Sequence, residues 1–173
     1  MTVHATPPSS NTFVPDETNT RLLRDAFGRF TTGVTIVTAA TEGGVAAITA
    51  NSFSSVSLTP PLVLWSPDRT SRRYTHFEKA TNYAVHVLSS EQSDLCWAVA
   101  KDVYALNDHN LNLNAEGVPV LENCLARFEC TKTAVYEGGD HVIMLGQVLR
   151  AEMREEGDPL AFFKGQVGSF TAH

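Results

Sequence analysis

The tightest constraint on the fold lies between Val34 and Ala50, where two extended runs flank a glycine turn. Val34-Thr35-Ile36-Val37-Thr38-Ala39 sets β-branched side chains close together, which suits a pleated strand and crowds a helix. Thr41-Glu42-Gly43-Gly44 has the backbone freedom for a tight reversal, and Val45 to Ala50 resumes the extended pattern. An early hairpin follows, and a lone hairpin is marginal in water, so the rest of the chain must supply strands to join it.

The later sequence offers them. Leu62 to Trp65, Tyr83 to Leu88, Leu125 to Tyr136, Val142 to Met153 and Leu160 to Phe163 read as strands. Glu137-Gly138-Gly139-Asp140-His141 is a hairpin turn between the two longest, and Glu155 to Pro159 turns again. The Pro60-Pro61 pair lacks N–H donors and is expected to stay outside any ladder. Leu22, Leu23, Ala26, Phe27 and Phe30 form an apolar stripe at helical spacing, starting from an N-cap at Thr18 or Asn19 and stopping at Gly33. Shorter helices fit Ser71 to Ala80 and the stretch after Ser89 or Ser90 that runs through Val99. Residues 101–117, rich in Asn and Asp, read as a long surface loop. The expectation is one mainly β domain with α additions over residues 18–173, a closed or nearly closed antiparallel barrel. It follows a Pro-, Ser- and Thr-rich arm, residues 1–17, expected to be disordered.

Composition narrows the function. A length of 173 residues suits a single domain, and the net charge of −6 is spread without any basic stripe, which argues against nucleic acid. No apolar run approaches the roughly 20 residues of a membrane span, and the first ten residues lack the pattern of a secretory signal, so a cytoplasmic protein is expected. Cys124 and Cys130, if on one strand, lie about 20 Å apart, too far for a disulfide, and all three cysteines are read as reduced thiols. The histidines show no metal-ligand spacing, so no metal site is expected. Gly-rich dinucleotide and phosphate loops and the Gly-x-Ser-x-Gly elbow are also missing.

Three polar segments remain. Asn51, Ser52, Ser54, Ser55, Ser57 and Thr59 crowd into nine positions, a polar loop or a backbone cradle for a flat ligand such as a flavin. Ser66-Pro67-Asp68-Arg69-Thr70-Ser71-Arg72-Arg73 combines hydroxyls with guanidinium forks, either an anion site or a solvated helix start. Gly139-Asp140-His141 places one imidazole at a hairpin, exposed or in contact with a nicotinamide or flavin edge.

At these residues the sequence resembles the flavin reductase-like family, small partners of two-component flavin monooxygenases. Four blocks carry the likeness: Arg24 to Thr38, Thr49 to Leu64, Asp68 to Arg72, and Gly139-Asp140-His141. The second is long and nearly unbroken. The resemblance implies a split β-barrel of the FMN-binding, Greek-key type, a homodimer with flavin sites near the subunit interface, and hydride transfer from NADH or NADPH to FMN or FAD. Reduced flavin then serves a partner monooxygenase. It also implies that Thr49, Ala50, Asn51 and Ser52 face the isoalloxazine and ribityl chain, with Ser55, Val56 and Ser57 beneath them. Ser66, Ser71 and Arg72 hold the phosphate end, with Lys101 a looser candidate, and His141 meets the nicotinamide. A non-catalytic flavin carrier, or a reductase with fixed flavin acting on another substrate, are the alternatives. Ala47-Ile48 in place of the frequent Gly-Met, His86 in place of Asn, Phe163 and Val167 in place of tyrosines, and the 101–117 loop depart from the family pattern.

Overall fold

The computed structural model describes residues 10–170; the first nine residues of the expected arm lie outside it. Within the rest of that arm, the Asn19 side chain donates to the Val14 carbonyl and accepts from the Asp16 N–H, forming a turn that leads into α1 (Thr20–Phe27). In chain order there follow β1 (Thr32–Gly33), β2 (Thr35–Thr41), β3 (Gly44–Ala50), β4 (Ser54–Leu58), β5 (Pro61–Trp65), α2 (Tyr74–Lys79) and β6 (Asn82–Val87). A single 3-10 turn, Ser90–Gln92, runs into α3 (Ser93–Lys101). Then come β7 (Asn112–Leu113), β8 (Pro119–Val120), β9 (Ala126–Gly138), β10 (His141–Met153), β11 (Leu160–Phe163) and β12 (Gln166–Ser169). None of the described helices is long and apolar enough to cross a membrane.

Seven strands form one antiparallel sheet in the order β3-β2-β6-β9-β10-β5-β4. Its edges, β3 and β4, are separated in sequence only by Asn51-Ser52-Phe53. Four residue steps span at most about 14 Å, whereas a flat seven-stranded sheet holds its edges about 29 Å apart. The sheet is therefore rolled. No ladder joins β3 to β4, so the closed form of the expected barrel is not found. The link itself is anchored by side chains: Phe53 stacks on Phe128 of β9 with centroids 5.5 Å apart, and Ser52 Oγ accepts the N–H of Ser66, just after β5, at 2.9 Å. A small sheet, β1-β11-β12, and the pair β7-β8 complete the strands.

Alternation along β2 explains its apolar run. Val37 and Ala39 enter one core cluster with Trp65, Phe77, Tyr83 and Met144, while Val34 and Ile36 enter a second with Leu88, Val99 and Leu160. Both faces of β2 are thus covered, one by Phe77 of α2 and the other by α3.

Four expectations are corrected. The crowded polar stretch is a strand over Ser54–Leu58, with a register shift between Ser55 and Ser57, because its backbone pairs with β5. Pro61 opens β5 opposite Leu58, a first position where its missing N–H costs no ladder bond. The 101–117 loop is not confined to the surface: Leu106 is fully buried in the second cluster, and the Ala47 N–H donates to the Val103 carbonyl at 2.8 Å. Helix α1 ends at Phe27 with Gly28 as its cap, leaving Phe30 beyond it and Gly33 in β1. Leu22, Phe27 and Phe30 of its stripe are 43, 68 and 76% exposed in the single chain.

Candidate functional site

The segment after β5 is docked against the turn between β9 and β10. Arg69 N–H donates to the Asp140 carbonyl at 3.1 Å and Val142 N–H to the Pro67 carbonyl at 3.1 Å, bringing Asp68 opposite His141. Two of the polar segments, 74 positions apart at Pro67 and His141, thereby share one ridge. Asp68 accepts from the Thr70 hydroxyl and N–H, both at 2.7 Å, and these bonds hold its carboxyl below the usual range. His141 opens β10 half-exposed, its Nδ1 2.8 Å from Asp140 Oδ1.

The Thr49-to-Ser57 stretch shows how few of its side chains are free. Thr49 Oγ1 donates to the Cys96 carbonyl of α3 at 2.9 Å, and the Ala50 carbonyl accepts from the Thr35 hydroxyl at 2.8 Å. Ser52 Oγ is committed to Ser66, and Ser57 Oγ accepts the Thr59 N–H at 3.2 Å. Asn51 and Ser55 are exposed, and Val56 is 49% exposed on β4. Asn51 borders a hollow of about 760 Å³ formed with Phe27 and Phe30 of the α1 region and Phe162 and Lys164 of the β11–β12 hairpin. Four of these residues thus spend their hydroxyl or carbonyl groups on internal bonds that fix the backbone of the stretch.

Ser71, Arg72 and Lys101 come together on a separate hollow of about 440 Å³. They arrive from the approach to α2 and the last residue of α3, and neither Arg72 nor Lys101 has an ion pair among the described residues. The carboxylate on its rim, Asp102, accepts the Tyr104 N–H at 2.9 Å. The neighbouring Arg73 is structural: its guanidinium donates to the Val99 and Ala100 carbonyls at 2.9 and 2.8 Å, tying α2 to the end of α3. A hydroxyl with two unpaired cations is the donor set of a phosphate. Ser66 and His141 do not line this hollow.

His76 and Tyr104 also line it and were not among the residues singled out from sequence. The Asp102-Val103-Tyr104 turn carried a weak signal, an aspartate two positions before an aromatic residue, but nothing local pointed Tyr104 toward α2.

The family described as "Flavin reductase like domain" matches residues 27–171. An FMN reductase (NADH), SmoA of Agrobacterium fabrum, is 49% identical over 164 residues, covering 95% of this chain and 94% of its own length. The reductase subunit HsaB of a flavin-dependent monooxygenase from Rhodococcus jostii is 36% identical over 148 residues, covering 84% and 75%. Among solved structures, the NADH:FAD oxidoreductase SgcE6 of Streptomyces globisporus superposes with a TM-score of 0.86 at 33% identity, over 98% of this chain and 96% of that one. BorF, the flavin reductase component of a bacterial two-component tryptophan halogenase, superposes at 0.82 with 32% identity, over 90% and 100%.

Proposed function

The chain belongs to the flavin reductase-like family, and from that premise we propose how its residues divide the work of a flavin reductase. It is an NAD(P)H:flavin oxidoreductase whose reduced FMN or FAD supplies a separate monooxygenase. The convergence of Ser71, Arg72 and Lys101 on one hollow carries the assignment of the flavin phosphate. The backbone of Thr49 to Ser52, with Ser55, Val56 and Ser57 on β4, cradles the ring and ribityl chain, and Ser66 holds the Ser52 corner that joins the two ends.

Bound flavin supplies the hydride-accepting nitrogen, and the pyridine nucleotide supplies the hydride. The protein's contribution is position. Two flat rings held in contact need no diffusive encounter, and orientation of this kind accounts for several kcal/mol of a barrier. Backbone N–H groups of the pinned Asn51-Ser52-Phe53 link would hold the ring edge, supplying donors at fixed positions that need no reorganisation. His141 Nδ1 is engaged by Asp140 Oδ1 at 2.8 Å, which leaves Nε2 as the ring nitrogen to meet the carboxamide of a nicotinamide. No side-chain nucleophile or general base enters.

In this reading the rolled, unclosed sheet is a split barrel, and the exposed stripe of Leu22, Phe27 and Phe30 is covered by a second copy in a homodimer, acting in the cytoplasm. Two such residues on an eight-residue helix with no buried side chain, and a third just beyond its end, are hard to keep in water. The test is steady-state oxidation of NADH and NADPH with FMN, FAD and riboflavin in turn. Turnover with at least one pair is expected, and none with any pair overturns the reading.

A further inference from the structure

Two hollows stand side by side near the start of α2, and they share the rings of His76 and Tyr104. The first is the hollow of Ser71, Arg72 and Lys101. The second, about 710 Å³, runs along Ala40, Thr41 and Gly43 of the β2–β3 hairpin and past Lys79 and Ala80 at the end of α2. The shared rings meet edge to face with centroids 5.6 Å apart, and the Tyr104 hydroxyl lies 3.3 Å from His76 Nε2.

This wall is preformed. A β-carbon on Gly43 would stand 3.0 Å from the Tyr104 hydroxyl, so the bare glycine makes the room that the ring occupies. Asn107 clasps the same turn from the far side, accepting the Val45 N–H at 2.8 Å and donating to the Gly43 carbonyl at 3.2 Å. Gly44 has φ +109, and a β-carbon there would lie 2.5 Å from Asn107 Oδ1. Both glycines of the hairpin are therefore matched to the 101–109 segment, and the segment is fitted to the hairpin. Such prior ordering lowers the entropy a ligand must overcome.

A flavin mononucleotide whose phosphate sits on Ser71, Arg72 and Lys101 ends in the first hollow. The second begins there, across two aromatic rings, the kind of surface on which a purine stacks. We propose that the second hollow is an adenine subsite, with Tyr104 and His76 as its platform, and that this chain consequently prefers FAD to FMN. The proposal rests on the reading of the first hollow as a flavin-phosphate site.

Isothermal titration calorimetry of the full chain with FMN and with FAD tests it without turnover. The intact protein is expected to bind FAD about tenfold more tightly, the gain typical of one stacked base. Ala40→Trp, at an exposed position that lines only the second hollow, is expected to abolish the difference by weakening FAD alone. Tyr104→Ala is expected to do the same, and Tyr104→Phe to keep the preference. Equal affinity of the intact protein for FMN and FAD overturns the proposal, as does an Ala40→Trp change that affects both flavins alike, affects neither, or shifts only NADH. Binding of FMN without a preference for FAD sinks the adenine subsite alone; binding of neither flavin sinks the phosphate site as well.

Discussion

Thr49 Oγ1 donates to the Cys96 carbonyl at 2.9 Å, fastening the end of β3 to the middle of α3. The hydroxyl is thereby a tie between two elements, and in the proposed arrangement only the backbone at this position is left to meet the flavin. Thr49→Val keeps the shape and removes one bond to a carbonyl already in helical pairing, so about 1 kcal/mol of stability is lost. Urea unfolding reads that loss, and Thr49→Ser is expected to restore most of it. If Thr49→Val leaves the unfolding midpoint unchanged, the tie has no energetic weight.

Arg72 and Lys101 are expected to act on the phosphate alone. Arg72→Ala and Lys101→Ala should each weaken FMN by about tenfold or more, the worth of a charge-assisted hydrogen bond, and leave riboflavin where it was. Titrations with both flavins at two salt concentrations check this. An equal loss for riboflavin would place these cations elsewhere.

His141 meets the nicotinamide rather than the flavin in the proposed arrangement. His141→Ala is expected to raise the KM for NADH by about tenfold, the value of one lost hydrogen bond, while FMN affinity holds. A variant whose FMN affinity falls and whose KM for NADH stays constant would reverse that assignment.

His86 is fully buried, with Nδ1 2.9 Å from the Ile36 carbonyl and Nε2 accepting the Leu121 N–H at 3.1 Å. Burial lowers its pKa from 6.5 to about 4, because neither nitrogen has water to solvate a charge. A histidine depressed in the folded state contributes stability that is fully present above pH 6.5 and is lost as pH falls from there toward 4. The loss is about 3 kcal/mol across that window. Urea midpoints measured between pH 7 and 4.5 should fall more steeply for the intact protein than for His86→Asn; parallel curves would exclude His86 as the source.

Gly146 leaves the space that the Tyr83 ring fills. A β-carbon on Gly146 overlaps the Tyr83 hydroxyl and lies 3.2 Å from Cys130 Cβ, with Tyr83 only 1% exposed and unable to swing away. Gly146→Ala should cost roughly 3 kcal/mol by overpacking. Tyr83→Phe removes the colliding oxygen, which has no hydrogen-bond partner among the described residues, and is expected to be neutral or stabilising alone. The double variant should recover part of the loss, because the ring carbon that bore the oxygen still crowds the β-carbon at 2.8 Å, and fully additive penalties in thermal unfolding would rule the collision with the oxygen out.

The local pattern by itself determined most of the strands, their hairpin turns and the segments that carry the chemistry. Branched alternation from Val34 to Ala39 and the Gly43-Gly44 turn act within a few residues, through sterics that every conformation of the chain feels. The long resemblance through Thr49 to Leu64 pointed to the flavin cradle. Its description as a loop failed at Ser54 because pairing with β5 is a choice of partner, which the polar side chains do not display. Tertiary structure alone decided where hydroxyls and cations point. It turned Thr49 inward to α3, buried Leu106 out of an Asn-rich segment, and left the α1 stripe uncovered. It also brought Lys101 to Ser71 and Tyr104 to His76, residues 30 and 28 positions apart. Those meetings depend on how far the sheet rolls and on where Arg73 pins α2 to α3, a balance of long-range contacts that local sequence does not encode.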